Sequence, residues 1–155
     1  MAHFAELKAM TDPTGFTSDS HQIVQRVVVV GNDIAAGGGT LEDNDMHVDG
    51  ETWCINFFKG GIWKQTSYNH NFRKKYAGKG DIYDPVKDKF LLSQPYASWS
   101  LDGNDDWQAP VTYPTDTTDK VISWDEDNQQ WVAVDRSDPP NNFNWDASAL
   151  AWVSV

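Results

Sequence analysis

The chain has 155 residues, a formal net charge of −11 and eight tryptophans. That length bounds it to one domain, or one domain with a small appendage, able to bury a real core. The acidic balance argues against gripping a nucleic-acid backbone, which needs basic patches; the single cysteine, Cys54, excludes an internal disulfide framework and fits a reducing cytoplasm.

The opening residues MAHFAEL carry neither a basic leader nor a long apolar stretch, so neither a signal peptide nor a membrane span is expected. Residues 2–8 are predicted as a short strand with His3, Ala5 and Leu7 on one side, and residues 11–20 as a polar turn. His21 to Val30 predict the clearest strand, its β-branched run implying burial on both faces towards its end. Residues 31–50, with Gly37-Gly38-Gly39 and five acids, predict a mobile acidic loop. Residues 50–60 read two ways. Trp53, Ile55 and Phe57 alternate as in a strand, while Trp53/Phe57 and Cys54/Phe58 repeat as in a helix. A single short helix is favoured, with Asp49 as N-cap and Gly60 as C-cap.

From Ile62 onward short aromatic segments alternate with turn signals and prolines, the pattern of a mostly β protein. The last third repeats one phrase. Trp124-Asp125, five residues, Trp131-Val132-Ala133-Val134 returns twenty-one residues later as Trp145-Asp146, five residues, Trp152-Val153-Ser154-Val155. An aromatic on each side of a polar turn is how two antiparallel strands clamp each other. Looser versions are Tyr83-Asp84 to Phe90 and Trp99 to Trp107, so four small hairpins are predicted. An isolated hairpin is marginal, so they must pack on one another or on a partner. The expected fold class is mainly β (or α+β), with short antiparallel strands, aromatic-clamped hairpins and at most one or two short helices. A β-rich core domain over residues 1–115 and Trp-hairpin repeats over 116–155 are the expected divisions.

Catalytic patterns are weak. Val27-Val28-Val29-Val30-Gly31 is not followed by GxGxxG. His3, His21, His47 and His70 lack metal-ligand spacing, and Cys54 among bulky apolar residues reads as a small buried hydrophobe. Asp102-x-Asn104-x-Asp106 alternates oxygen ligands like a calcium loop, but Trp107 replaces the required glycine and no glutamate follows, so a polar hairpin turn is favoured over a cation site. No enzyme activity, cofactor or metal is expected.

Two sets of residues are candidates for partner binding. Trp124, Trp131, Trp145 and Trp152 either pack across their hairpins or offer an aromatic face to a sugar or protein. Phe72, Arg73, Lys74, Lys75 and Tyr76 form the main basic cluster of an acidic chain. They either grip an acidic partner surface or form a solvated edge. On the docking reading, reversing the three charges should abolish binding and leave folding intact.

Several phrases recur in order: Phe4-Ala5-Glu6-Leu7, Ile23 to Val30, Trp63-Lys64-Gln65-Thr66-Ser67-Tyr68-Asn69, Asn71-Phe72-Arg73-Lys74-Lys75-Tyr76-Ala77-Gly78, Tyr83-Asp84, and Gln94-Pro95-Tyr96-Ala97-Ser98-Trp99. In these the chain resembles a family of small proteins encoded by marine tailed phages, notably those infecting cyanobacteria and other ocean bacteria. The resemblance spans nearly the whole chain. The acidic, glycine-rich segment 31–50 and the second Trp-Asp unit depart from the family pattern. The resemblance implies a virion component; together with the acidic charge and the weak catalytic patterns it leads to the expectation of a structural protein on the virion exterior, assembled in the host cytoplasm. Capsid decoration is the first expectation; a tail-fibre, tail-tip or adaptor protein is the alternative, and a sugar-binding module outside the virion is a third. Expected partners are a major capsid protein or a tail or fibre protein, with homo-oligomers, trimers included, and with neither nucleic acid nor membrane.

Overall fold

The computed structural model describes residues 1–10, 21–31 and 50–155. The expected turn at 11–20, most of the expected acidic loop, and Asp49 lie outside the described residues. The described chain is mainly β with one short helix, and it divides into two compact units, Met1–Ser93 and Gln94–Val155.

The first unit holds strands β1 (Ala2–Ala9), β2 (Gln22–Val30), β3 (Ile62–Thr66), β4 (Ile82–Asp84) and β5 (Lys89–Leu91), with helix α1 (Gly50–Phe57). The strands form one sheet in the order β3-β1-β2-β4-β5, each neighbouring pair antiparallel. β1 buries both faces. Ala2 and Phe4 join Val30, Cys54 and Trp63 in one cluster; Ala5 and Leu7 join Val24, Tyr83 and Phe90 in another.

A bulge makes this two-faced burial possible. Pairing steps from Glu6↔Arg26 to Leu7↔Val24, which leaves Gln25 as the extra residue of β2. Val24 and Val27, three apart, therefore serve the same cluster, although strict alternation would set them on opposite faces. The expected burial on both faces towards the end of this strand is corrected in part: Val30 is buried, but Val29 is 54% exposed.

The ambiguous segment is the helix. Its end is a Schellman motif: Gly60 N–H donates to Ile55 O at 2.8 Å and Lys59 N–H to Asn56 O at 3.4 Å. The left-handed cap position itself is held by Lys59 (φ 59°), one residue before the expected glycine. The chain then turns through Gly61 (φ +89°), where an added Cβ would lie 2.9 Å from Nε1 of Trp63. That close approach lets the buried Trp63 indole donate to Gly60 O at 3.0 Å.

The second unit holds β6 (Ser100–Leu101), β7 (Trp107–Gln108), β8 (Lys120–Asp125), β9 (Gln130–Asp135), β10 (Asn142–Asp146) and β11 (Ala151–Ser154). β6 and β7 form a separate hairpin, and the others form a four-stranded sheet in the order β11-β10-β9-β8. Three of the four expected clamps pair as read: Tyr83↔Phe90, Trp124↔Trp131 and Trp145↔Trp152. The fourth does not. Trp107 pairs with Leu101, while Trp99 leaves its own hairpin and packs edge-on against Trp124 and Trp131, with ring centroids 6.2 and 5.9 Å away.

Candidate functional site

The three clamped hairpins share one turn. Asp84, Asp125 and Asp146 each follow the first aromatic, and each carboxylate accepts two backbone N–H groups from the turn. The donors are Val86 and Lys87 at 2.9 and 3.0 Å, Asp127 and Asn128 at 3.1 and 3.2 Å, and Ser148 and Ala149 at 2.8 and 3.0 Å. Four residues beyond each aspartate the chain takes a left-handed conformation, at Asp88 (φ 49°), Gln129 (φ 50°) and Leu150 (φ 51°). The second aromatic follows two residues later, directly opposite the first.

In the second unit these clamps line up. Trp124 faces Trp131, and Trp145 faces Trp152. Continuing the β9–β10 register of Asn144↔Val132 by one step brings Trp131 opposite Trp145. One tryptophan from each of four strands therefore forms a row across the sheet. Trp124, Trp131 and Trp145 are 6–7% exposed and make a single cluster, with Trp99, Val111 and Trp152 packed around it.

Neighbouring segments secure the indoles. Trp131 donates to Val111 O and Trp152 to Asp116 O, both at 2.8 Å. Trp124 donates to Glu126 Oε2 at 2.8 Å, and Glu126 also accepts from the Ser98 amide and hydroxyl. The rings of Trp124 and Trp131 are thus covered by their own unit, Trp145 is 7% exposed where it lines the groove described next, and Trp152 is half-buried.

What this unit leaves open is its margin. Leu150, Val153 and Val155 are 63%, 53% and 77% exposed on the last hairpin. Beside it, Pro110, Val111, Tyr113 and Thr115 with Trp145 and Leu150 line a half-open groove of about 390 Å³. Sequence reasoning passed over this groove because its walls lie some thirty residues apart in the chain; the hydrogen bond from Trp131 to Val111 is what joins them.

The basic cluster is drawn into the first unit. Arg73, whose side chain is 9% exposed, donates to Glu51 Oε1 at 2.7 Å, Gln65 O at 2.8 Å and Asp88 Oδ1 at 2.8 Å. Lys75 pairs with Asp81. Tyr76 packs edge-on against His3 and Tyr68, its ring 5.4 Å from each. Phe72 and Lys74 are half-buried. Arg73 O accepts from Phe90 N–H at 3.0 Å, which anchors the segment beside β5. The expectation that all three charges can be reversed without harm to folding is therefore corrected: Arg73 is a buried partner of two carboxylates.

Burial pushes the Asp88 carboxyl up. The Tyr83 hydroxyl bonded to it and the nearby Arg73 charge outweigh that and hold it below its ordinary value. Tyr83 is raised in turn, first by burial and then by the same bond. Cys54, fully buried, has its thiol pushed up to about 11 by burial and by the charge of Glu51, which suppresses the thiolate.

At the calcium-like segment, Asp102 Oδ1 accepts the amides of Asn104 and Asp106 at 2.8 and 3.0 Å, and Oδ2 accepts Gln108 Nε2 at 3.2 Å. The carboxylate builds the turn. Among the described residues there is no group of three His, Cys, Asp or Glu side chains placed to hold a metal ion. No protein-family model, curated protein or solved structure matches the chain.

Proposed function

We propose that this chain is a non-catalytic structural protein on the outside of a phage particle, most simply a decoration protein bound to the capsid shell. The observation that carries this reading is a contrast of chemistry. In a chain of net charge −11, the last hairpin carries exposed apolar side chains on both faces, Leu150 beside Trp145 at the groove and Val153 and Val155 on the face away from Trp152. Exposed apolar side chains gathered on one edge hairpin of a charged protein mark that hairpin for protein contact. The ordered resemblance to marine phage proteins supports a particle as the setting. A subunit that binds only the assembled lattice stabilises it by mass action.

A second reading, a tail-fibre, tail-tip or adaptor protein, is favoured by the groove between Tyr113 and Leu150. Its aromatic and threonine lining suits a saccharide ring, which offers C–H faces and hydroxyls together.

Immunogold labelling of intact virions with an antibody to this chain tests both. Gold over the head supports decoration. Gold confined to the tail overturns it in favour of the second reading, and intact particles without gold overturn both.

A further inference from the structure

The repeat in the second unit already contains a protein–protein contact in miniature. The first Trp-Asp hairpin is β8–β9 and the second is β10–β11; they dock through β9 and β10, with Asn142↔Val134, Phe143↔Ala133 and Asn144↔Val132. Shifted by the twenty-one-residue repeat, β8 is the counterpart of β10 and β11 is the counterpart of β9. In the sheet order β11-β10-β9-β8 these two counterparts are the outer strands. One free margin of the sheet thus has the chemistry of the inner margin of β9, and the other has that of β10.

From this we propose that a second copy of this chain docks on the outer edge of β11 through its own β8, repeating the β9–β10 contact head to tail. The internal register fixes the intermolecular one. Val121 lies opposite Val155 of the next copy, Ile122 opposite Ser154, Ser123 opposite Val153, and the tryptophan row continues from Trp124 to Trp152. Hydrogen-bonding parity follows, because each outer strand repeats the alternation of the inner strand it mimics.

The composition of the margins supports this independently. Edge strands are ordinarily guarded by charge, proline or a bulge. β11 reads Ala-Trp-Val-Ser, and the four central residues of β8 read Val-Ile-Ser-Trp, with no charge in either and with Val121 and Val153 58% and 53% exposed. Among the described residues no strand covers either edge. A heterologous contact of this kind closes into a ring or runs into a filament, depending on whether its rotation closes. Three residue pairs and an indole contact make a weak contact in dilute solution. It strengthens where neighbours are held close, as on a repetitive lattice. The inference rests on the repeat and not on the proposed location of the protein.

The test is sedimentation velocity of the full chain from micromolar to millimolar concentration, alongside two doubly substituted chains. Wild type is expected to gain mass progressively with concentration. Ser123→Glu with Val153→Glu, and separately Ser123→Lys with Val153→Lys, set like charges opposite each other across the contact and are expected to remain monomeric. Mixing the two sets is expected to restore association, because position 123 of one then meets an opposite charge at 153 of the other. Both positions are exposed, and an unchanged tryptophan emission spectrum checks folding. Should either double substitution unfold the unit, the wild-type series decides with the single change Val153→Lys. A strictly monomeric wild type, or association that neither substitution weakens, overturns the proposal.

Discussion

Leu150 has a leucine side chain where the backbone is left-handed, at φ 51°. The Cβ of an L-residue clashes there, at a cost of about 1–2 kcal/mol that asparagine largely escapes. Its counterparts in the other two hairpins are Gln129 and Asp88. Leu150→Asn is therefore expected to stabilise the second unit by about 1 kcal/mol, or roughly 4–8 °C in melting temperature for a unit this small, read from tryptophan emission on heating. A lower melting temperature would mean that the leucine side chain gains more along the groove than its backbone loses. Arg73 is the opposite case, because each of its contacts is already in use. Arg73→Ala leaves Glu51 and Asp88 without their shared cation. The expected loss is about 3 kcal/mol, the low end for breaking a buried pair, because Asp88 keeps a 56% exposed side chain. Urea unfolding followed at the first unit measures it, and a loss within error would show that the charges are screened.

Among the elements, the three clamped hairpins were legible because a seven-residue spacing of aromatics around an aspartate turn is local information: strand, turn and partner all lie within one short stretch. The Trp99–Trp107 hairpin carries nearly the same spacing, yet its aromatics do not pair. Trp99 gains more by packing edge-on against Trp124 and Trp131 than by facing Trp107, and that competition is decided by residues twenty-five and more positions away. The basic cluster failed for the same reason. Nothing near Arg73 announces that Glu51 and Asp88 will converge on it. The sheet order β3-β1-β2-β4-β5 and the bulge at Gln25 are equally non-local. Within the tryptophan row the cost of truncation should follow position. Trp131 lies inside the sheet, with Trp124 5.1 Å and Tyr113 4.9 Å away and its indole bonded to Val111 O. Trp131→Ala is expected to cost about 3–5 kcal/mol, while Trp152→Ala at the half-buried edge costs less. Equal losses in thermal melts would mean that the row acts as one cooperative block.

At the scale of the whole molecule, the two units carry separate cores, separate probes and separate pH responses. Cys54 lies in the first unit, whereas six of the eight tryptophans belong to the second. In the first unit the folded state raises Cys54, to about 11, and also raises Tyr83, with burial the leading cause in both. A folded state that holds a proton more tightly than the unfolded chain keeps its full advantage below the unfolded values, about 8.5 for Cys and about 10 for Tyr, and loses it as pH rises through the folded ones. Asp88 of the same unit is the exception, held low against burial by the Tyr83 hydroxyl and the Arg73 charge; in the second unit the carboxylates shift in that downward direction. Asp135 is held low by the Ser137 hydroxyl and the Asn141 amide, Asp125 by the Asn128 side chain, and Glu126 by the Ser98 hydroxyl and the Trp124 indole. Their stabilisation is present above the ordinary carboxylate range, about pH 4, and is lost as pH falls below it. Alkali should therefore open the first unit before the second. Labelling of Cys54 by a thiol reagent, normalised to the rate for the denatured chain, is expected to climb from about pH 9 upward while tryptophan emission holds. Trp131→Ala should do the reverse at neutral pH, lowering the emission melt while Cys54 stays protected. If either perturbation moves both probes together, the two units unfold as one cooperative structure, and the repeat hairpins depend on the first unit for their stability.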